Sequence, residues 1–448
     1  MSKPKNTVSS GTKGVGGHVV VDRPTDSILP NPDNTRRHTA AQSQKIANCI
    51  LRFGFVVPIL IDENGMIIAG HGRLEAARLL GLKHVPTLAI EYLNDAEKAA
   101  YAIADNRLSE LSEFDDRRVA EQLKVLSELN FDLDVIGFEM GEIDFRIESL
   151  KTPLEKETLE FVPPVSGPAV TQIGDQWHLG ASKVLCADAL KLESYSVLMQ
   201  RERAKMIFAD PPYNVAIAGN VGGRGKIKHQ EFVQGSGMSV SQFTEFLKQF
   251  LRYCRDVSTD GSLHYICMDW RHLRELLEAG YATFENLLNL CVWAKDNAGM
   301  GSFYRSQHEL VLVFKKERPP HQNNIQLGVH GRNRSNIWSY PGMNSFSRNT
   351  KEGNLLAIHP TVKPVALVAD AILDASARGD IILDPFLGSG TTLIAAQSVG
   401  RRCFGLELDP RYVDTIIRRW QALTGEPAFL SESDHSFDDI LAGRVAGR

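Results

Sequence analysis

The sequence has few cysteines, no strong charge of one sign and no long hydrophobic run. Its six cysteines are scattered with no C-x-x-C pair, which argues against a disulfide framework or a cysteine-ligated zinc site and fits a reducing cytoplasm. The longest apolar runs are too short to span a membrane, and the N-terminus has no apolar signal core. A formal net charge of -4 over 448 residues leaves nucleic-acid binding to local patches.

Changes of pattern divide the chain into domains. Residues 1–21 are polar and rich in Gly and Ser, and we expect a disordered tail there. Residues 22–150 read as a small α+β domain of short strands and helices. Residues 151–170 contain four prolines and are predicted to be a linker, whereas 171–430 alternate strands with helices in the manner of an α/β domain with a parallel sheet. Residues 431–448 are predicted to be a second tail.

A glycine turn stands at the end of a buried strand in "DIILDPFLGSGTTLIAAQSVG". Gly388–Gly390 let the backbone approach a ligand closely, and the following helix offers free N–H groups. No Gly-Lys-Ser/Thr follows, so a P-loop is excluded, and Leu393 stands where a dinucleotide fold needs its third glycine. A tight structural turn is the alternative. With Glu407 at the tip of the next strand, an adenosine-type ligand without a phosphate chain is favoured.

The stretch "MIFADPPYNV" ends another buried strand at Asp210. Pro211 and Pro212 cannot continue the strand, because proline lacks the backbone N–H. On these residues alone, a surface turn and a rigid platform that presents Asp210 and Tyr213 are both open.

Together these segments resemble the β class of S-adenosylmethionine-dependent DNA amino-methyltransferases, which modify adenine N6 or cytosine N4. "DPFLGSGTT" is similar to the cofactor loop of that family, "LELD" to its ribose-binding acid and "DPPYN" to its catalytic tetrapeptide. "VLCADAL", "HPTVKP" and "VWAKDNAGMGSFYRSQHELVLVFKK" resemble three further family segments. The resemblance covers about 171–425, with the catalytic motif before the cofactor motif. It implies a Rossmann-like methyltransferase sheet with permuted motif order.

The chemistry of the family explains the tetrapeptide. The lone pair of an exocyclic amine is delocalised into the base, so the nitrogen is a poor nucleophile. The Asp210 carboxylate and the rigid Pro211 carbonyl can accept its two N–H groups and free that lone pair. Tyr213 offers a face on which an extruded base can stack. The catalytic residues implied by the resemblance are Asp210, Pro211, Pro212 and Tyr213.

The resemblance also implies a cofactor site for S-adenosylmethionine, without a metal. Asp188 would contact the cofactor adenine, Thr361 and Lys363 the methionine carboxylate, and Asp384 the methionine amine. The alternatives are a solvated acid at Asp188, a surface lysine at 363 and a core side chain at Phe386. The implied cofactor-binding residues are Asp188, Thr361, Lys363, Asp384, Phe386, Gly388, Ser389, Gly390, Thr391 and Glu407.

Target recognition in this class usually lies between the pocket hairpin and the "HPTVKP" stretch, here 315–358. From 315 to 352 there are seven basic residues against two acidic ones, with aromatic residues between them. A solvated loop would explain the charge, but less readily the aromatic residues. A second long stretch, 216–240, would close over the extruded base. The predicted DNA-binding residues are Arg332, Arg334, Trp338, Tyr340 and Arg348.

The N-terminal domain resembles the ParB-like (ParB/sulfiredoxin) family over about 22–115, through "ILPNPDNTRRH", "AGHGRLEAARLLGL" and "ADNRLSEL". In that family a turn at a helix start binds nucleotide phosphates, which would place CTP or ATP at Gly70, His71, Gly72 and Arg73. A docking module without a nucleotide is the alternative. We identify no helix-turn-helix after this domain and therefore expect no complete chromosome-partition protein.

The sequence predicts a cytoplasmic, site-specific DNA methyltransferase of the restriction-modification kind that acts on double-stranded DNA. Asp-Pro-Pro-Tyr is the form more usual among adenine-N6 enzymes, and Ser-Pro-Pro-Tyr among cytosine-N4 enzymes, so adenine is favoured. Cytosine N4 is the first alternative. A ParB-like DNA-binding switch with an inactive methyltransferase domain is the second. A homodimer stays open.

Overall fold

The computed structural model describes residues 18–446 apart from 153–154, 156–157, 164–167, 215–236, 300–302, 330–332, 343–361, 432 and 434. The chain forms two compact units, Met1–Glu139 and Met140–Arg448. Among the described residues, no helix is both long enough and apolar enough to cross a membrane.

The N-terminal unit is a small α+β domain, as the sequence predicts. Its four-stranded sheet has the order β1–β4–β2–β3, in which β2 and β4 are parallel. Ile59, Ile61, Leu74 and Val85 are buried together between this sheet and α2. The elements are β1 (Val20–Pro24), α1 (Ala40–Phe53), β2 (Ile59–Ile61), β3 (Ile67–Ala69), α2 (His71–Leu79), β4 (His84–Ala89), α3 (Asp95–Glu110) and α4 (Asp116–Glu128).

The C-terminal unit is built on a ten-stranded mixed sheet. Its elements are α5 (Met140–Glu148), β5 (Gln176–Leu179), β6 (Ser182–Cys186), α6 (Leu192–Met199), β7 (Ala204–Ala209), α7 (Val240–Asp256), β8 (Ser258–Met268), α8 (Leu273–Thr283), β9 (Asn286–Ala294), β10 (His308–Lys315), β11 (Ile337–Ser339), α9 (Val365–Ala375), β12 (Ile381–Asp384), α10 (Thr391–Ser398), β13 (Arg402–Glu407), α11 (Pro410–Thr424), β14 (Phe429–Leu430) and α12 (Phe437–Ala446). The strand order is β11–β9–β10–β8–β7–β12–β13–β6–β5–β14.

The centre of this sheet is parallel and buried on both faces. Strands β8, β7, β12, β13 and β6 run parallel to one another. Strand β10 is antiparallel to β8 and to β9, and β5 is antiparallel to β6. Along β7, Met206 and Phe208 belong to one apolar cluster and Ile207 and Ala209 to the other, as side chains alternate across a strand. The α/β fold class predicted from the sequence is confirmed, and β13 ends at Glu407, as the sequence predicts.

Two segments predicted to lie outside the domains are packed into the C-terminal unit. In the predicted linker, Val162 is 2% exposed and Glu160 binds the first backbone N–H groups of α9. In the predicted C-terminal tail, Phe437 begins α12 and packs edge to face against Trp177. The linker assignment relied on prolines, which do not prevent an irregular segment from packing. Residues 1–17 of the predicted N-terminal tail lie outside the described residues. Strand β1 begins at Val20, within the predicted tail of residues 1–21.

A buried ion pair holds helix α5 in the C-terminal unit. The Arg401 guanidinium makes two bonds to the Asp144 carboxylate, of 2.9 and 2.6 Å, and both side chains are fully buried. Arg378 lies 3.0 Å from the same carboxylate. A buried acid that holds two guanidinium groups fixes α5 against the segments around β12 and β13.

Candidate active site

Four acidic residues stand at the carboxyl ends of four neighbouring parallel strands. In sheet order these are Asp210 after β7, Asp384 at the end of β12, Glu407 at the end of β13 and Asp188 shortly after β6. The carboxyl edge of a parallel sheet is where such folds bind their ligands. The strand order therefore brings the two halves of the predicted site, catalytic and cofactor-binding, to one edge.

Asp210 and Tyr213 belong to a buried polar cluster with Lys363 and Glu309. The Lys363 ammonium lies 2.6 Å from Asp210 Oδ2 and 3.0 Å from a Glu309 oxygen. The Tyr213 hydroxyl lies 2.6 Å from Asp210 Oδ1 and 3.1 Å from Glu309 Oε2. Lys295 donates to the other Glu309 oxygen. We call these five residues the catalytic cluster, after the catalytic role that the sequence predicts for Asp210 and Tyr213.

Burial and charge set the protonation of this cluster. Burial raises the pKa of Asp210, and the attraction of Lys363 only partly offsets this effect. Burial also favours neutral Glu309, yet Lys363 and Lys295 together lower its pKa to about 2. The two carboxylates in turn raise the pKa of Lys363, against its burial. The cluster therefore holds two cations against two acids, of which Asp210 is the more easily protonated.

The position of Lys363 differs from the sequence prediction. It was expected at the methionine carboxylate or on the surface, but it is 4% exposed and binds Asp210. Glu309 and Lys295 were not predicted as site residues. The available signal was an acid at the start of the buried run "LVLVF" in β10, opposite a lysine just after β9. Thr361 lies outside the described residues.

Hydrogen bonds from polar side chains hold the glycine turn, Gly388–Gly390, in place. Asp384 accepts hydrogen bonds from Phe386 N at 2.9 Å and Thr392 Oγ1 at 2.6 Å. Both of its oxygens thus bind within the turn, which favours a structural role over the predicted contact with an amine. Phe386 packs against aromatic side chains of α7, so its core alternative is favoured. Gly390 has a φ of +85° and precedes α10, and a Cβ there would lie 3.0 Å from Ile416.

Glu407 connects the turn to the tip of β13. Its Oε2 accepts from Gly388 N at 2.8 Å and its Oε1 from Asp409 N at 2.9 Å. Burial raises the pKa of Glu407 to about 7 and that of Asp384 to about 7. Each carboxylate oxygen can accept a further bond, so Glu407 fits a pair of ribose hydroxyls beside the turn. Asp188, whose Oδ1 accepts from Leu190 N, follows the neighbouring strand.

Arg419 supports this turn from inside the domain. It is 3% exposed, and its Nη1 donates to the Ser389 carbonyl at 3.1 Å, with Thr391 Oγ1 at 3.5 Å. Its Nη2 donates to the Leu159 carbonyl at 2.9 Å. The neighbouring Glu160 accepts from the backbone of α9, two residues after Lys363. The segment 159–160 thus braces both the glycine turn and the helix that follows the catalytic lysine.

The predicted DNA-binding residues that the structure describes lie largely inside the domain. Arg334 forms ion pairs with Asp374 at 2.7 Å and Asp370 at 3.0 Å. The Tyr340 hydroxyl accepts from Arg334 and donates to Asp370. Trp338, in β11, is 5% exposed and stacks on a tyrosine of β8. These contacts argue against direct DNA contact by Arg334 and Trp338. Arg332, Arg348 and most of 216–240 lie outside the described residues.

The predicted nucleotide residues of the N-terminal unit form the start of α2. Gly70 has a φ of +114° and precedes the helix, and His71 Nε2 accepts from Asn31 N. Gly72 is buried with Ile46 3.0 Å from the site of a Cβ. Burial lowers the pKa of Arg73, whose buried Nε has no hydrogen-bond partner among the described residues.

Two of the family matches each lie within one of the two units. Residues 204–418 match the N6/N4 methyltransferase family, described as DNA methylase, and this range contains the whole catalytic cluster. The chain carries a DNA methylase domain of the N6/N4 family. Residues 9–107 match the ParB N-terminal domain, so a ParB-like domain precedes the DNA methylase domain.

A third match corrects the sequence analysis. Residues 119–173 match a ParB-methyltransferase HTH domain, although no helix-turn-helix was expected after the ParB-like domain. The matched range contains most of α4, a short 3-10 turn (Leu133–Ile136) and α5. The first domain was predicted to end at residue 150 and the prolines after it to lie in a linker, which concealed this pattern.

Curated relatives of the DNA methylase domain are type II methyltransferases. The chain is 28% identical over 238 residues to M2.DpnII of Streptococcus pneumoniae, which is 50% of this chain and 85% of the relative. It is 25% identical over 248 residues to M.HpaI of Haemophilus parainfluenzae, 52% of this chain and 72% of the relative. Among solved structures, the cytosine-N4-specific PvuII DNA methyltransferase has 15% identity and a TM-score of 0.41, covering 59% of this chain and 94% of that one.

Proposed function

We propose that the DNA methylase domain transfers a methyl group from S-adenosylmethionine to the exocyclic amine of a base extruded from double-stranded DNA, with adenine N6 as the target. The observation that carries this proposal is the position of the catalytic cluster beside the Glu407 turn, at one edge of the sheet. A base acceptor and a nucleoside site are thereby close enough to share a reaction centre.

The cluster prepares the amine for attack. Asp210 accepts one amine N–H and the Pro211 carbonyl the other, which frees the nitrogen lone pair. Lys363 and Tyr213 hold the Asp210 carboxylate in place through its two oxygens, and each oxygen keeps a lone pair for the base. Fixed partners of this kind stabilise the charge that develops on the amine during transfer.

The cofactor supplies an electrophilic methyl group on a sulfonium. Glu407 would hold the ribose hydroxyls, Asp188 would contact the adenine, and the Gly388–Gly390 turn would lie against the cofactor backbone. After transfer the amine carries an extra proton. The raised pKa of Asp210 suits this residue to accept that proton.

The choice of adenine relies on Asp at the first position of "DPPY", where cytosine-N4 enzymes more often have Ser. The test is to incubate the protein with labelled S-adenosylmethionine and mixed-sequence duplex DNA, and to identify the labelled nucleoside. We expect N6-methyladenine. Label in N4-methylcytosine would establish the alternative, and no label in DNA would exclude the proposed activity.

The variant Asp210→Asn tests the catalytic assignment. It keeps the size of the side chain but removes the charge that attracts the amine hydrogens. We expect methyl transfer to fall by about a hundredfold or more, while the Kd for S-adenosylmethionine changes little. The matched control is Asp256→Asn at the end of α7, remote from the cluster in the chain. Normal methylation by Asp210→Asn would contradict the assignment.

For the ParB-like domain we propose nucleotide binding at Gly70–Arg73. The buried Arg73 Nε at a helix start beside a left-handed glycine is the observation that favours an anion there. Titration of CTP and ATP into the full chain should show binding that Arg73→Ala abolishes and that Arg78→Ala, on an exposed turn of the same helix, preserves. Absence of binding to the unmodified chain would leave the docking alternative.

A further inference from the structure

Two aromatic side chains extend into solvent in the turn between β9 and β10. Phe303 is 86% exposed and Tyr304 is 82% exposed, and their rings meet edge to face with centroids 4.4 Å apart. Burial of such rings is favourable, so adjacent exposed rings are typical of a surface that binds a partner.

Hydrogen bonds brace the turn that presents these rings. Gly299 N donates to the Ser306 carbonyl at 2.8 Å. The Arg305 guanidinium donates to the Ala298 carbonyl at 2.8 Å and to the Gly299 carbonyl at 3.0 Å. Carbonyl groups fix the arginine without cancelling its charge. The aromatic pair is therefore next to a positioned cation.

A third aromatic side chain lies against the same turn. Trp270, just after β8, is 52% exposed and its indole N–H lies 3.2 Å from Ser306 Oγ. The Arg271 guanidinium, which pairs with Asp269 at 3.2 Å, lies 5.2 Å from the centre of a Trp270 ring. Aromatic faces beside guanidinium groups are suited to unstacked nucleic-acid bases and phosphates. The hairpin surface consists of Trp270, Arg271, Phe303, Tyr304 and Arg305.

The same hairpin carries part of the catalytic cluster. Glu309 follows Tyr304 by five residues, which span at most about 17 Å of extended chain, and Lys295 is on the opposite side of the hairpin.

A base that leaves the duplex to reach Asp210 creates a gap in the base stack, and inserted apolar side chains can fill such a gap. We propose that Phe303 and Tyr304 enter the duplex at the target base pair and occupy the gap left by the extruded base. This inference rests on the proposed function.

The test uses the full chain and a duplex whose methylated position has been mapped with the unmodified protein. Single-turnover methylation is measured for the double variant Phe303→Ala/Tyr304→Ala on this duplex and on one with an abasic nucleotide opposite the target base. We expect a loss of about tenfold to a hundredfold on the matched duplex. On the abasic duplex the rate should return to within a few-fold of normal, because the target base is already unpaired.

Two control variants separate ring insertion from general damage. Phe303→Tyr/Tyr304→Phe keeps both rings and should methylate the matched duplex at the normal rate. Tyr281→Ala removes an aromatic side chain that is 60% exposed on α8 and should also leave the rate unchanged. The Kd for S-adenosylmethionine should be the same for all variants.

Several results would overturn the inference. A normal rate for the double alanine variant on the matched duplex would do so, as would an equal loss on both duplexes. Conversion of a dimer to a monomer by the double variant, seen by sedimentation, would assign the rings to contacts between copies of the chain. If the unmodified protein methylates no DNA, the proposed function itself fails; an active protein with an unaffected double variant refutes only the inserted rings.

Discussion

The ammonium nitrogen of Lys363 lies 2.6 Å from Asp210 Oδ2, although 153 residues separate the two in the chain. Lys363 precedes α9 and Asp210 follows β7, and the fold joins them in a site where both are shielded from water. The lysine is therefore a partner of the Asp210 carboxylate rather than a surface cation.

Lys363→Met should reduce the rate of methyl transfer by about a hundredfold or more, because Asp210 would lose the cation that holds its carboxylate ionised and in place. The Kd for S-adenosylmethionine should stay within a few-fold of normal. Equilibrium dialysis and single-turnover kinetics measure the two quantities. The opposite pattern, a weakened Kd with a normal rate at saturation, would restore the contact to the methionine carboxylate predicted from the sequence.

Glu309→Gln should lower the rate by about tenfold and should not add to the effect of Lys363→Met. The two side chains form one network with Asp210, so the first substitution already disrupts what the second removes. A double-mutant cycle on the single-turnover rate measures this coupling. As the control, His308→Gln changes the preceding residue, which lies outside the catalytic cluster. Additive losses would show that Glu309 acts independently.

Binding of S-adenosylmethionine should weaken as the pH falls from 8 to 6. The pKa of Glu407 is raised to about 7, so below that pH its carboxyl group is protonated in the free protein. Ribose hydroxyls favour the ionised form, and binding then has to release a proton. Calorimetry in buffers of different ionisation enthalpy should show this release near pH 7. Glu407→Gln should bind weakly and lose the pH dependence. A flat profile for the unmodified protein would contradict the role of Glu407.

Asp144→Asn should lower the free energy of unfolding of the C-terminal unit by about 3–5 kcal/mol, because Arg401 would stay buried without its counter-charge. Urea denaturation monitored by tryptophan fluorescence measures the change. Glu142→Gln is a suitable control on the same helix, since its ion pair with Arg146 is partly exposed and contributes less than about 1 kcal/mol. Similar losses for both variants would argue against the special position of Asp144.

The local sequence pattern was sufficient to predict the site residues that stand at the end of a strand. Asp210 and Glu407 could be predicted because each follows a buried apolar run and precedes a break in that run. Glu309 and Lys363 could not be placed, because their meeting depends on the strand order β10–β8–β7–β12, which no local pattern encodes. The sheet order is a property of long-range pairing rather than of any single segment.

For Arg334, the local sequence pattern led to a prediction of DNA binding that the contacts of this side chain argue against. A basic stretch with aromatic residues resembled a DNA-reading surface, but Asp370 and Asp374 on α9 neutralise the arginine and bury it. The pairing acids are more than 30 residues further along the chain, outside any window in which local charge would be counted. Charge patterning identifies a solvent-facing patch only when its counter-ions are close in sequence.

The ion pair between Asp144 and Arg401 also limits where the protein chain can be truncated. A catalytic fragment that begins at residue 171, the start of the strand-and-helix pattern, lacks Asp144 and Glu160. It retains Arg401, Arg378 and Arg419, but these arginines lose the acidic side chains that lie near them in the intact chain. A C-terminal fragment that keeps this ion pair together with the whole of α5 has to begin at or before Met140, and it includes a helix of the range that matches the HTH domain.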